Sequence, residues 1–431
     1  MVKDTKKDGK MSRRKFLGTA AVATAAVAAA PVITGFPTVW AQNSKNVVLR
    51  QFGTGTASVN AIAEKAKEEL GITVQMTAMD SDAVVQRAVT QPKSYDIADI
   101  EYWVCKKVYP AGVIQPMDTK RIKLYDKISP LFKNGKLTPD SQIAQGTAPH
   151  TVGFVEHQKD TKFATRETEW MTLMPTIYNA DTLGIRPDLV GREINSWKDI
   201  LDPAYKGKTS ILNIPAIGIM DAAMICESAG LVKYADKGNM TRKEIDQTID
   251  VLKKAKKEGQ FRAFWKTFDE SVNLMASGEV VIQSMWSPAV TAVRAKGIPC
   301  KFQPLKEGYR AWGGGMGLAR HLSGIKLDMA YEYFNWYISG WVGAYLNREG
   351  YYSAAPSTSK DYMTANEWGY WIEGKPATED IVSPEGKVME KAGAIRDGGS
   401  YMQRMGNLAC WNSVMDENKY MVRKWNEFIA S

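Results

Sequence analysis

Histidine is scarce in this chain, with three residues in 431. His150, His157 and His321 are scattered, and none pairs with another at the helical spacing that puts two imidazoles on one metal ion. Cysteine is nearly as rare: Cys105, Cys226, Cys300 and Cys410 lie far apart, with no Cys-x-x-Cys. Metal chemistry therefore lacks the clustered ligands it needs. An oxidising compartment permits two disulfides in three pairings. However, Cys226 ends an apolar helical run and Cys300 opens a strand, so both read as buried thiols. There is no Gly-x-Ser-x-Gly nucleophile elbow. Gly53-Thr54-Gly55 lacks the third glycine of a dinucleotide fingerprint. After residue 41 no apolar run reaches the 18 residues a membrane span needs. No block of Lys and Arg is long enough to favour nucleic acid. These absences argue against an enzyme, a cofactor protein, a nucleic-acid binder and a membrane protein.

The N-terminus, by contrast, is rich in signal. Basic residues Lys3, Lys6, Lys7 and Lys10 lead into Ser12-Arg13-Arg14-Lys15-Phe16-Leu17, then an uncharged Ala-rich run over 19–30, then Val39-Trp40-Ala41. This order of basic region, apolar region and small-residue cleavage site is that of an export signal. The paired arginines before Phe-Leu make it the twin-arginine type, read by the twin-arginine translocase. The alternative is an uncleaved anchor, which the Ala and Thr content and the interruptions at Pro31 and Pro37 oppose. No cysteine precedes Cys105, so no lipid is attached near the cleavage site. Residues 1–41 carry seven Lys/Arg and two Asp; of the total net charge of +9, the chain from Gln42 therefore keeps +4. The expectation is a soluble, monomeric, periplasmic protein.

Downstream, the pattern alternates. A Val/Leu-rich strand is predicted over 46–52, a turn at 53–56, and a helix over 59–70 with Val59, Ile62, Ala66 and Leu70 on one face. Strands over 72–76 and 95–101 flank a helix over 82–89. A second unit follows, with a short helix at 197–201, strands at 209–212 and 280–285, and helices at 219–228, 242–257 and 270–276. Asp269 reads as the cap of the last of these. A helix over 329–338 comes later. Such alternation makes open, mostly parallel α/β sheets, and ligands in such sheets sit beyond the carboxyl ends of strands. Here those ends fall at 52–56 and 101–103.

Five segments carry a resemblance. They are YDIADIEYWVCKKVYPAGVIQPMD (95–118), SWKDILDPAYKGK (196–208), FWKTFDESVNLMASGEVVIQSMW (264–286), PLKEGYRAWGGGMGL (304–318) and GYYSAAP (350–356). In order and spacing they resemble the extracellular solute-binding proteins of ABC importers, of the spermidine/putrescine-binding type. The resemblance covers 46–357 and leaves the last seventy residues uncovered. It implies a two-lobed periplasmic-binding-protein fold of type II, α/β, with mixed, mostly parallel sheets and a crossover hinge near 172–179 and 306–314. Lobe 1 would be 43–174 plus 311–431, and lobe 2 would be 175–309. The implied partners are a small-molecule solute, an ABC permease and its ATPase.

In polyamine-binding relatives, aromatic rings enclose the alkyl chain and carboxylates hold the ammonium groups. The aromatic positions that match are Trp103, Trp170, Trp286, Trp312 and Tyr352, whereas Trp197 and Trp265 read as core. The carboxylates depart from the pattern. Trp312-Gly313-Gly314 stands where the family has Trp-x-Asp, and the acidic loop before the second-lobe helix is here Asn213-Ile214-Pro215-Ala216-Ile217-Gly218. Glu101 remains as a cation anchor, or as a partner of Lys106 or Lys107, and Asp269 as a further acid. Conversely, Asn213 and Thr54 begin loops that open helices, whose free N–H groups suit an anion. The solute is thus a polyamine-like amine or a zwitterion. Two alternatives stand beside this reading: a ferric-ion binder of the same fold, through the Tyr351-Tyr352 pair, and an exported periplasmic enzyme.

Overall fold

The computed structural model describes Val47–Ser431; the export signal read over 1–41 lies outside the described residues. The first half-sheet is built from β1 (Val48–Gly53), α1 (Asn60–Leu70), β2 (Thr73–Ala78), α2 (Ser81–Thr90), β3 (Ile97–Glu101) and α3 (Tyr102–Val108). Strand β1 pairs in parallel with both β2 and β3. α1 ends because Gly71 takes a left-handed conformation (φ 70°), where a side chain would be strained.

The chain then crosses on the twelve-residue strand β4 (Met174–Ile185), buried along its whole length. The second half-sheet contains β5 (Thr209–Leu212), α4 (Pro215–Ser228), α5 (Arg242–Lys257), β6 (Phe261–Trp265), α6 (Phe268–Ser277), β7 (Ile282–Met285) and α7 (Ser287–Arg294). Strand β5 pairs in parallel with β6 and β7. The chain returns on β8 (Tyr309–Ala319), antiparallel to β4 and to β3. Helices α8 (Gly324–Tyr337) and α9 (Trp341–Arg348) follow, and near the end come β9 (Leu408–Trp411) and α10 (Asn418–Ala430). The strand order is therefore β6-β5-β7-β4-β8-β3-β1-β2, two parallel halves joined by two antiparallel crossing strands. The glycines of β8 permit this close crossing: a Cβ at Gly315 would sit 2.9 Å from Leu173 Cβ and 3.0 Å from the Met174 carbonyl oxygen.

The crossing is fastened by charge. Arg310 of β8, 1 % exposed, donates to Asp221 of α4 at 2.6 Å and to Asn412 at 2.8 Å, and lies 3.3 Å from Asp181 of β4. Burial pushes Asp181 up to about 7, against the pull of Arg310.

Two large apolar cores fill the interior. One core runs from the first sheet into α6 and α7, taking in Val272, Met275, Ala289, Val290, Val293 and Phe302. A second core joins α4 and α5 to the chain's last helix through Met421, Trp425 and Phe428. Helix α10 thus packs into the same core as α4 and α5. All four cysteines are buried free thiols. Among the described residues no helix is long and apolar enough to cross a membrane.

Candidate functional site

The carboxyl ends of β1 and β3 meet at one edge of the first half-sheet. Glu101, last in β3, lies opposite Gly314 of β8. Its carboxylate accepts a hydrogen bond from the Ser81 hydroxyl at 2.6 Å. Burial raises its pKa, and the Ser81 bond opposes that rise. Ser81 takes the place expected for Lys106 or Lys107, both of which are exposed. Two residues earlier, Asp99 is 3 % exposed, and its Oδ2 has no hydrogen-bond partner among the described residues. Burial, with the charge of Glu101 adding, holds its carboxyl at about 7. Gly53 lets Asp99 approach: a Cβ there would lie 2.7 Å from Asp99 Cβ.

Trp312 on β8 is half-buried, opposite Asn179 of β4, and meets Tyr351 edge-on at 5.8 Å. Asn179 donates to the Gly350 carbonyl at 3.1 Å, which ties this loop to the crossing strands. Trp286 is also half-buried; it leads into α7 and stands edge-on to Trp265 at 4.8 Å. Pro288, two residues on, lies within 3.9 Å of where a Gly350 Cβ would be. Trp312 of the crossing strand thus meets the loop after Gly350 through Tyr351, and Pro288, two residues beyond Trp286, approaches the same loop at Gly350. Trp197 and Trp265 are core residues, 0 % and 1 % exposed.

Several expected site residues stand elsewhere. Trp103, in the first turn of α3, is buried instead of facing a cleft, because α3 packs it into the first core. Tyr352 is fully buried between Tyr178 and Tyr401, at 6.1 and 5.1 Å. Tyr351, just before a two-residue strand, meets Trp312 instead, so the two phenols do not converge as a ferric site needs. Trp170 is half-buried in a separate three-stranded sheet, paired with Asp118 and Val155. Thr54 bonds to Thr56 at 2.8 Å, and α1 starts later, at Asn60 behind Val59, so Thr54 opens no helix. Asn213 accepts a hydrogen bond from the Trp425 indole at 2.9 Å, and α4 begins at Pro215 behind Ile214. Asp269 is not a cap. Thr267 caps α6 in a reciprocal pair with Glu270, leaving Asp269 exposed in the first turn.

A small cavity of about 20 Å³ lies close by, lined by Ser287 and Thr291 of α7, by Gly350, and by Trp371, Arg396 and Arg404 of the C-terminal segment, among others. None of the nine residues predicted from the sequence lines it. The two arginines fall in the last seventy residues, where no motif drew attention to them. A basic residue in a loop or a short helix is ordinarily solvated, and only the fold buries this pair.

Residues 61–360 match the family model described as bacterial extracellular solute-binding protein. No curated protein sequence matches at a significant level. Among solved structures, the fold is shared with PotD, a spermidine/putrescine ABC transporter substrate-binding protein from Streptococcus pneumoniae (TM-score 0.60, 15 % identity, 89 % of this chain and 98 % of that one). It is shared also with AgtB from A. tumefaciens R10, solved with agropinic acid (TM-score 0.52, 13 % identity, 90 % and 99 % covered). The Atu4243 GABA receptor is a third (TM-score 0.56, 17 % identity, 89 % and 97 % covered). The fold is therefore the two-lobed periplasmic-binding-protein fold, and this chain belongs to the bacterial extracellular solute-binding protein family.

Proposed function

We propose that this protein is the substrate-binding subunit of an ABC importer, exported by the twin-arginine route to the periplasm, where it works as a monomer and not as an enzyme. It captures a small amine or zwitterion between two lobes and delivers it to a membrane permease coupled to an ATPase. The lobes correspond to 43–174 with most of the chain after 311, and to 175–309 joined by α10. The single observation that carries this reading is the pair of antiparallel crossing strands β4 and β8 linking two parallel half-sheets, with Trp312 half-buried on β8 and Trp286 half-buried just past the end of β7.

Crossing strands of this kind are hinges: a few residues absorb a rotation that brings the halves together. A ligand shifts the open–closed balance only through contacts that differ between the two states. Trp286 and Trp312 provide such contacts as apolar walls and π-faces for an ammonium. Structural relatives that bind spermidine/putrescine, GABA or agropinic acid support an amine or amino-acid-like solute.

The test is calorimetry on the purified protein with putrescine, spermidine and γ-aminobutyrate. Trp286→Ala and Trp312→Ala should each weaken binding of the best ligand by about 1–3 kcal/mol. Unchanged affinity in both variants would remove these residues from the site. For export, Arg13→Lys with Arg14→Lys should leave the uncleaved precursor in the cytoplasm. Normal processing of that double variant would contradict the route.

A further inference from the structure

The cavity beside α7 has an unusual charge arrangement. Of the three arginines in its wall, Arg294 is fully engaged: it bonds Glu390 at 2.7 Å, pairs with Asp397, and donates to the Cys300 carbonyl. Two of the three acids in the wall, Glu390 and Asp397, are committed to it, Asp397 accepts in addition from the Phe302 N–H, and Glu349 is the third. Arg396 and Arg404 have no such partner. They are 4 % and 1 % exposed, and neither makes an ion pair with any described residue. Nε and Nη2 of both guanidinium groups are buried without a hydrogen-bond partner among the described residues. Arg396 stacks over Trp371 at 4.2 Å and Arg404 over Phe302 at 5.1 Å, which fixes the planes and leaves the N–H edges unused. The Arg404 Nη1 bond to the Asp397 carbonyl, 3.2 Å, is the one side-chain polar contact of the pair among the described residues.

Buried guanidinium groups whose Nε and Nη2 atoms have no acceptor are costly unless an acceptor joins them. Burial, and then the charge of Arg396, hold Arg404 below the ordinary range of its group. A planar guanidinium edge matches the paired oxygens of a carboxylate or phosphate.

We propose that this cavity is an oxyanion site, in which Arg396 and Arg404 together hold the carboxylate or phosphate group of a small solute. Ser287 and Thr291 of α7 complete its wall. The proposal deepens the solute-binding reading and rests on it, by giving the solute an anionic end. It also gives a role to the C-terminal segment, which supplies both arginines.

The experiment is calorimetry of the purified protein against succinate, inorganic phosphate, sulfate and γ-aminobutyrate, with sodium chloride at matched ionic strength as the reference. At least one oxyanion should bind at one per chain. Arg396→Gln and Arg404→Gln should each weaken it tenfold or more, and Arg396→Lys should weaken it less than Arg396→Gln. Ser287→Glu, which brings a carboxylate to the wall without removing either arginine, should weaken it as well, and decides the matter if the arginine variants do not fold. Binding of no oxyanion above the chloride reference, or equal binding in wild type, Arg396→Gln, Arg404→Gln and Ser287→Glu, overturns the proposal. The two readings fail separately. Tight putrescine binding that depends on Trp286 and Trp312 but not on the arginines leaves the tryptophan site standing and removes this one. The opposite pattern does the reverse.

Discussion

Asp99 shows how one residue ties the site to pH. Its folded-state carboxyl titrates at about 7, against an ordinary value of 3.8, first because it is buried and then because Glu101 lies near. Between those values the folded protein keeps a proton that the unfolded chain has released. The contribution of Asp99 to stability is therefore full below about pH 4 and is lost as the pH rises toward about 7. Asp99→Asn cannot ionise, so it should flatten the fall in melting temperature between pH 5 and pH 8, with its largest gain over wild type at the upper end. A slope identical to wild type would show that Asp99 titrates normally. Asp181 shares the same upward shift, so part of the slope should remain in the variant. At this scale the sequence was only partly legible. Trp286 and Trp312 were singled out by the motifs that carry them, and both are half-buried. Asp99 sits inside one of those motifs but reads as one more strand residue until Gly53 and β8 close over it. Trp103 and Tyr352 were misplaced because aromatic side chains suit a cleft wall and a core equally well.

At the scale of elements, local chemistry did most of the placing. Strand β5 and helix α5 fall on the bounds that pattern alone predicts, 209–212 and 242–257. Thr241 and Glu244 fix the start of α5 by bonding each other's backbone. The same Thr-x-x-Glu box at Thr267 and Glu270 puts the cap of α6 two residues before the one expected, because the reciprocal pair outweighs the lone acid at Asp269. Helix α8 begins at Gly324, five residues before the predicted start, behind a Ser323 whose side chain makes no capping bond. The packing of α10 was not visible in the sequence. Its Trp425 indole donates to Asn213 and lies against Gly218, where a Cβ would come within 2.6 Å of the ring and 2.3 Å of the Leu212 carbonyl oxygen. Gly218→Ala should therefore destabilise the protein by about 1–3 kcal/mol through overpacking, and Trp425→Ala by about 3–5 kcal/mol through the cavity it leaves. Urea melts of the two variants check both. A neutral Gly218→Ala would mean that α10 is not seated on α4.

For the whole molecule, the decisive feature is the crossing of β4 and β8. Ligand that bridges the two halves should close them, and small-angle scattering with and without the best solute should show a smaller radius of gyration in its presence. No change at saturation would contradict hinge closure. The buried Arg310–Asp181–Asp221 cluster lies at this crossing and fixes how the strands meet. Alternating strand and helix patterns, separated by turn residues, were enough to determine two parallel α/β halves, and five motifs in order were enough to place the chain among solute-binding proteins. Those signals are local, written in spacing and capping, and survive without knowledge of neighbours. Tertiary structure alone decided that the final helix completes the second core, that Asp99 is sealed beside Gly53, and that Arg396 and Arg404 face a common cavity. Each of these depends on segments far apart in sequence meeting in space, and on burial turning an ordinary charged side chain into an unsatisfied one.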